Sequence, residues 1–371
     1  MILPIGLLVS AILGAGMFSL PFVFHQVGLT TGLFYLVCLT IVVAVVHLMY
    51  GDIILRTSGH HNFVGYARIY LGKLAADLAI LMTVLEMMVV LVIYITLSVS
   101  FLRLLVDSNV VGAIEGLIFW LSGSVAVFWS LKKIAWMESL TSFGLFGAVL
   151  FIFWFAVNHN TLAATNYFFQ FKFSNFLLPI GPVLFALSGR IGVMEVIKYF
   201  APARPIKKIK KIIIWGTIIP AAVYALFAAG VLMLAPNVTE DGIGGLVGIL
   251  PPILLLAIGV FGILELWTSY VAVGADVYNI LRDDLRVSKK VAHFLIISLP
   301  LAFYLFNFGG LIFWVSLAGG VFLALEGIFI TVIWLKINRW SGSWLVFLVF
   351  LVFIATFLSE IWKLFAGKIF H

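Results

Sequence analysis

Of the ionisable side chains inside long apolar stretches of the chain, six are candidates for chemistry: Glu86, Arg190, Glu195, Glu265, Asp276 and Glu326. A charge at the centre of a hydrocarbon layer costs about 2.5–3.5 kcal/mol on insertion scales, so each of these groups needs a partner or a function. Arg190 is the most demanding, because a guanidinium stays protonated even when buried. Glu86, Glu265 and Glu326 are its candidate partners, and two chemistries follow from such a group. Either one acid, working with Arg190, takes up a proton or meets a substrate, or the group is a permanent ion pair that fixes helix packing. Glu195 and Asp276 lie toward the ends of their stretches, where water is closer. Lys198, three residues after Glu195, fits an exposed pair, with an inner gate as the alternative.

The backbone offers a second chemistry. Gly14-Ala15-Gly16-Met17-Phe18-Ser19-Leu20-Pro21 interrupts the first apolar run, and Leu187-Ser188-Gly189-Arg190-Ile191-Gly192 interrupts the sixth. Unpaired backbone groups cost several kcal/mol each in hydrocarbon, so irregular backbone survives there only where it lines a cavity or meets a ligand. N–H groups at the start of a half-helix favour an anion, and carbonyls at the end of one favour a cation. A zwitterion such as an amino acid satisfies both.

The elements that carry these groups are membrane-spanning helices. Charged residues make up 10% of the 371 and mean hydropathy is +1.23, far from the roughly 25% charge of soluble domains. Runs long enough to span a bilayer lie near 3–26, 29–53, 74–105, 113–131, 135–157, 177–199, 209–235, 253–281, 291–306, 311–335 and 344–365, which predicts eleven helices. Residues 1–13 carry no Lys or Arg and no cleavage pattern follows, so the first run is expected to be retained. With the N-terminus inside, 17 of the 22 Lys and Arg residues fall on the inner connections. The positive-inside rule then predicts a cytoplasmic N-terminus and an outer C-terminus. The net charge of +7 is thus a topology signal, and no nucleic-acid partner is expected. The thirty-five Phe and eleven Trp residues are expected to face lipid or its interface for the most part.

Interrupted helices opening two groups of five are the trace of an inverted-repeat transporter, whose site lies at the repeat interface near the midplane. The expected fold is an all-α polytopic membrane protein with a five-plus-five inverted repeat. Repeat one covers about 1–158, repeat two about 176–336, and an extra helix about 342–366.

The stretch from Gly14 to Phe22 resembles the opening signature of the amino acid/auxin permease group, including bacterial aromatic (tryptophan/tyrosine-type) amino acid permeases, in the amino acid–polyamine–organocation superfamily. Leu184 to Glu195 is similar to the broken sixth helix of that group, and Thr268 to Asp276 to its eighth. The matches fall in order and the helix layout covers nearly the whole chain. The resemblance implies alternating-access transport of an amino acid driven by H⁺ or Na⁺, without a cofactor, in the plasma (inner) membrane. By that resemblance the break at Gly14, Ala15, Gly16 and Met17 holds the substrate carboxylate on the N–H groups of its last three residues. The break at Ala186, Leu187, Ser188 and Gly189 receives the ammonium on the carbonyls of its first three. Specificity for the side chain would come from helices 3, 6, 8 and 10, and the substrate would be aromatic or large and neutral. Relatives often carry a histidine after the Ser-Gly of helix 6 and a proline before its glutamate, where this chain has Arg190 and Met194.

Sodium-coupled members of that superfamily hold the ion in an oxygen cage, which Ser10, Leu13, Thr268 and Ser269 would supply here. The alternative is that these hydroxyls bond to their own helix backbone. Coupling or gating falls to Arg190, Glu86, Glu265 and Glu326. No catalytic or metal site is expected: there is no HExxH, no Gly-x-Ser-x-Gly elbow, one cysteine (Cys38), and His60-His61 stands without ligands at motif spacing. A membrane-embedded enzyme and a channel are therefore weaker readings, and a non-transporting amino-acid sensor is the rival that keeps the same site.

Overall fold

A computed structural model describes residues 2–59, 61–105, 112–127, 131–159, 175–306, 309–339 and 344–365. Every long regular element among them is helical: α1 (Ile2–Ile12), α2 (Leu20–Val27), α3 (Leu29–Arg56), α4 (Phe63–Leu71), α5 (Lys73–Leu105), α6 (Gly112–Ala126), α7 (Leu131–Asn158), α8 (Ile180–Ala186), α9 (Arg190–Tyr199), α10 (Ile206–Leu234), α11 (Pro252–Asn279), α12 (Lys289–Phe306), α13 (Leu311–Ser316), α14 (Ala324–Ile337) and α15 (Trp344–Phe365). The predicted runs reappear almost residue for residue. Among the described residues nine helices are long and apolar enough to span a membrane, and the first run, taken as one span, makes a tenth, bent by 49° where α1 gives way to a 3-10 turn at Ala15–Ser19. The fourth run is shorter than expected, an apolar helix over Ile114–Ala126 within the described residues.

One helix lies outside the expected runs. Phe63–Leu71 falls between the second and third runs, and nine residues are too few to span a bilayer. Asn62 caps it by accepting from the Gly65 N–H at 2.8 Å.

Packing follows the order of the spans. The first span (α1, α2) rests on α10, and the sixth (α8, α9) rests on α3. Likewise α7 packs on α10 and α11, while the tenth span (α13, α14) packs on α3 and α5. Shifting each partner by five spans turns one set of contacts into the other, as a five-plus-five repeat requires, and an odd number of spans inverts the second copy. This is the all-α inverted-repeat architecture expected of a polytopic transporter.

Close approach at the tenth span depends on glycine. Leu317–Leu323 is a π-helical turn carrying Gly319 and Gly320, and α8 packs against it. A β-carbon on Gly319 would collide with the carbonyl oxygen of Gly181, so only glycine lets the two backbones meet. On the far side α15 inserts the buried Glu360 next to Gly320. Lys363 ties this helix down, bonding to Glu360 at 2.6 Å and to the Leu177 carbonyl at 3.0 Å.

The connection between α10 and α11 folds over the non-basic end of the bundle. Asp241 accepts from the Ser100 hydroxyl at 2.7 Å and from the N–H groups of Ile243 and Gly244. Glu240 accepts from the Ile312 N–H at the start of α13, at 3.2 Å. Beneath this strap Phe18 meets Phe101 and Phe227 edge to face, at centroid distances of 4.9 and 5.7 Å. Phe34, Trp154, Phe294 and Trp344 face outward as expected of lipid-facing aromatics, whereas Phe18, Phe24, Phe63, Phe101 and Phe227 are fully buried and build the core. The close-packed interior of the bundle takes up this smaller set of aromatics.

Candidate functional site

Both helix breaks open onto one cavity of about 340 Å³. Gly14, in extended backbone, stops α1; the chain restarts as the 3-10 turn and then α2, led by Pro21 in its first turn. Ala186 ends α8, and α9 restarts at Arg190 after Leu187, Ser188 and Gly189. Gly16 meets Ala186 backbone to backbone: a β-carbon there would lie 2.5 Å from the Ala186 Cα. The fully buried Tyr224 of α10 joins the breaks a second way, its hydroxyl standing 2.5 Å from the Ile12 carbonyl and 2.9 Å from that of Ala186. One phenolic proton serves the two carbonyls, so it can satisfy only one of them at a time.

Of the expected substrate residues, Gly14, Ala15, Gly16, Ala186, Ser188 and Gly189 line the cavity, whereas Met17 and Leu187 do not. Met17 packs into a separate small void beside Ser142, Leu145 and Val149. Its N–H closes the 3-10 turn on the Gly14 carbonyl at 3.3 Å, which removes it from the donors facing the cavity. Ala15 and Gly16 precede that first closed bond, where N–H groups lack an acceptor within the turn. Leu187 is fully buried, and its N–H bonds to the Val183 carbonyl.

The tertiary structure chooses among the acids. Arg190 pairs with Glu326 of α14, Nε to Oε2 at 2.8 Å, and its guanidinium stands over the Phe63 ring at 4.8 Å with Tyr50 beside it. A cation at the first residue of a helix opposes the helix dipole, which adds to its need for the carboxylate. Glu265 is spoken for elsewhere: its carboxylate accepts from the hydroxyls of Thr141 and, at 3.1 Å, Ser142, both on α7. Glu86 lines the cavity within electrostatic reach of Arg190 and Glu326, but makes no hydrogen bond or ion pair among the described residues. Asp276 also lines the cavity. Glu195 and Lys198 form the exposed pair expected of them, at 2.7 Å and about half exposed.

Ser10, Leu13 and Ser269 line the cavity, but Thr268 does not. Its hydroxyl is fully buried and donates to the Glu265 carbonyl of its own helix at 3.1 Å, and that of Ser10 donates to Leu7. These are the local backbone bonds usual for Ser and Thr in membrane helices. His61 bonds to the Ser58 carbonyl, and His60 lies outside the described residues.

Among the residues that enter the site without being singled out from sequence are Tyr224, and His47 and Tyr50 of α3. The signal for His47 was a polar residue mid-run, three residues before Tyr50 and so on the same helix face.

The fold is similar to that of Mhp1, a nucleobase-cation-symport-1 family transporter, in a closed conformation with bromovinylhydantoin bound. The TM-score is 0.65 at 15% identity, over 99% of this chain and 92% of that chain. No curated protein matches the chain by sequence. Residues 1–350 match the tryptophan/tyrosine permease family. Broken spans meeting at a polar cavity in an inverted-repeat bundle are the structure of a secondary transporter rather than of an enzyme, and the chain belongs to the tryptophan/tyrosine permease family.

Proposed function

We propose that the chain carries an aromatic amino acid, tryptophan or tyrosine, together with a proton, across the plasma (inner) membrane. The single observation behind this is the meeting of the two breaks on a cavity that also holds the unpaired Glu86. The N–H groups of Ala15 and Gly16 receive the substrate carboxylate, and the carbonyls around Ala186 and Ser188 receive its ammonium. Val43, Val46, Met87, Val90 and Phe353 give the cavity an apolar wall against which an aromatic ring can lie.

A proton fits the cavity's charge balance. Glu86, Glu265, Asp276 and Glu326 line it against the single guanidinium of Arg190. Since Glu326 already neutralises Arg190, Glu86 is the acid whose charge a proton removes as the transporter turns over. A sodium cage at Ser10, Leu13, Thr268 and Ser269 is the weaker reading, because Thr268 is turned to its own helix.

The ends of α3, α9 and α14 carry Arg56, Lys198 and Lys336, the turn Ile280–Asp284 after α11 carries Arg282, and all would face the cytoplasm, with the N-terminus inside and the C-terminus outside. On this orientation the strap at Glu240 and Asp241 covers the outer end of the bundle. The repeats would run over about 1–158 and 176–336, followed by the helix at 342–366, and the family would sit among the amino acid/auxin permeases of the wider amino acid–polyamine–organocation group.

The test is uptake of labelled tryptophan and tyrosine into proteoliposomes, with a proton or a sodium gradient imposed in turn. Accumulation that follows the proton gradient supports the reading. Accumulation that follows only sodium overturns the coupling ion, and failure to bind or carry either amino acid overturns the substrate.

A further inference from the structure

We infer that His47 is a substrate-recognition residue whose Nε2 accepts a hydrogen bond from the α-ammonium of the bound amino acid. This rests on the amino-acid reading above and adds a side chain to an ammonium subsite otherwise built from backbone carbonyls.

His47 is 3% exposed and lines the cavity, held by one bond, Nδ1 to the Thr217 hydroxyl at 3.0 Å. That bond assigns the tautomer. Thr217 spends its own proton on the Ile213 carbonyl at 2.9 Å, so toward His47 it can only accept. Nδ1 therefore carries the proton, and in the neutral ring Nε2 is left with a lone pair. No partner for Nε2 exists among the described residues. The ring lines the cavity, so this lone pair is open to an occupant of the cavity that can donate to it.

Its place identifies the donor. The ring edge abuts the second break: a β-carbon on Gly189 would lie 3.1 Å from the His47 Cε1. An ammonium has three N–H donors and needs three acceptors. The carbonyl of Ala186 is shared with Tyr224, and Leu187 is withdrawn from the cavity, so the break by itself supplies fewer acceptors than the ammonium requires. His47 makes up the difference at the residue where α9 begins.

The experiment measures binding of tryptophan and of indole-3-propanoate, the same molecule without its amino group, to purified full-length protein. His47→Asn retains a donor toward Thr217 but has no acceptor at the position of Nε2, whereas the amide of His47→Gln reaches that position. His47→Asn is expected to weaken tryptophan roughly ten- to a hundredfold, as for loss of a hydrogen bond to a charged group. Indole-3-propanoate should bind it as it binds the wild type, the preference for tryptophan over tyrosine should stay unchanged, and His47→Gln should recover most of the loss. The inference is overturned if His47→Asn binds tryptophan normally, or if it loses both ligands equally, the mark of a structural role. A shift in tryptophan-to-tyrosine preference with the amino-group dependence intact overturns it too. Should the wild type prefer another amino acid, the aromatic reading falls while the same comparison, with that amino acid and its desamino acid, still decides for His47.

Discussion

Gly16 and Ala186, 170 positions apart in the sequence, touch through their backbones at the centre of the bundle. A methyl group on Gly16 would lie 2.5 Å from the Cα and 2.9 Å from the N of Ala186, and neither atom can swing aside. Gly16→Ala therefore drives the breaks apart. We expect it to abolish substrate binding and to destabilise the protein by about 1–3 kcal/mol, as overpacking does. Gly14→Ala is the control, because its β-carbon meets nothing nearer than 4.0 Å. Thermal melts of the purified variants should leave Gly14→Ala near wild type and move Gly16→Ala clearly down.

Breaking the Arg190 and Glu326 pair from one side strands a buried charge. Either Arg190→Met or Glu326→Gln alone should cost about 3–5 kcal/mol, and combining the two should restore part of the loss. Melting temperatures in detergent measure this. Transport by the stable double variant then separates packing from function: normal coupled uptake would show the pair to be structural.

Glu86 makes no such pair, so Glu86→Gln should fold normally. If it carries the proton, the variant exchanges internal for external amino acid but no longer accumulates it against a gradient. Counterflow and gradient-driven uptake, measured side by side in proteoliposomes, give the two rates. Intact accumulation by Glu86→Gln would move the proton to another acid.

The strap over the non-basic end is held by Asp241 on Ser100 and Glu240 on Ile312. Asp241→Ala removes four accepted hydrogen bonds at once, from Ser100, Thr239, Ile243 and Gly244, each worth about 1 kcal/mol. The outside should then open more often. In a Cys38→Ser background, Ser100→Cys should react faster with an impermeant thiol reagent once Asp241 is replaced, and substrate should slow that reaction.

Much of this protein was legible in its sequence because membrane helices are specified locally. About twenty apolar residues make a span wherever they occur, so the run at 29–53 and the helix Leu29–Arg56 nearly coincide. Glycine clusters likewise marked the breaks before Gly14 and Ala186 were seen to stop their helices. What sequence left open were pairings across the bundle, because a carboxylate on one helix carries no record of what faces it. Three acids were equal candidates for Arg190, and only the packing of α9 against its neighbours put Glu326 at 2.8 Å and turned Glu265 toward α7. His47 and Tyr224 were hidden for the same reason. Their hydroxyl and imidazole look like ordinary helix residues until the fold sets them beside the interrupted backbone of spans far away in the chain. The chain's apolar runs and glycines determined a bundle of spans with two of them broken, and the tertiary structure alone decided which polar groups face the cavity, since that depends on distances no local pattern encodes.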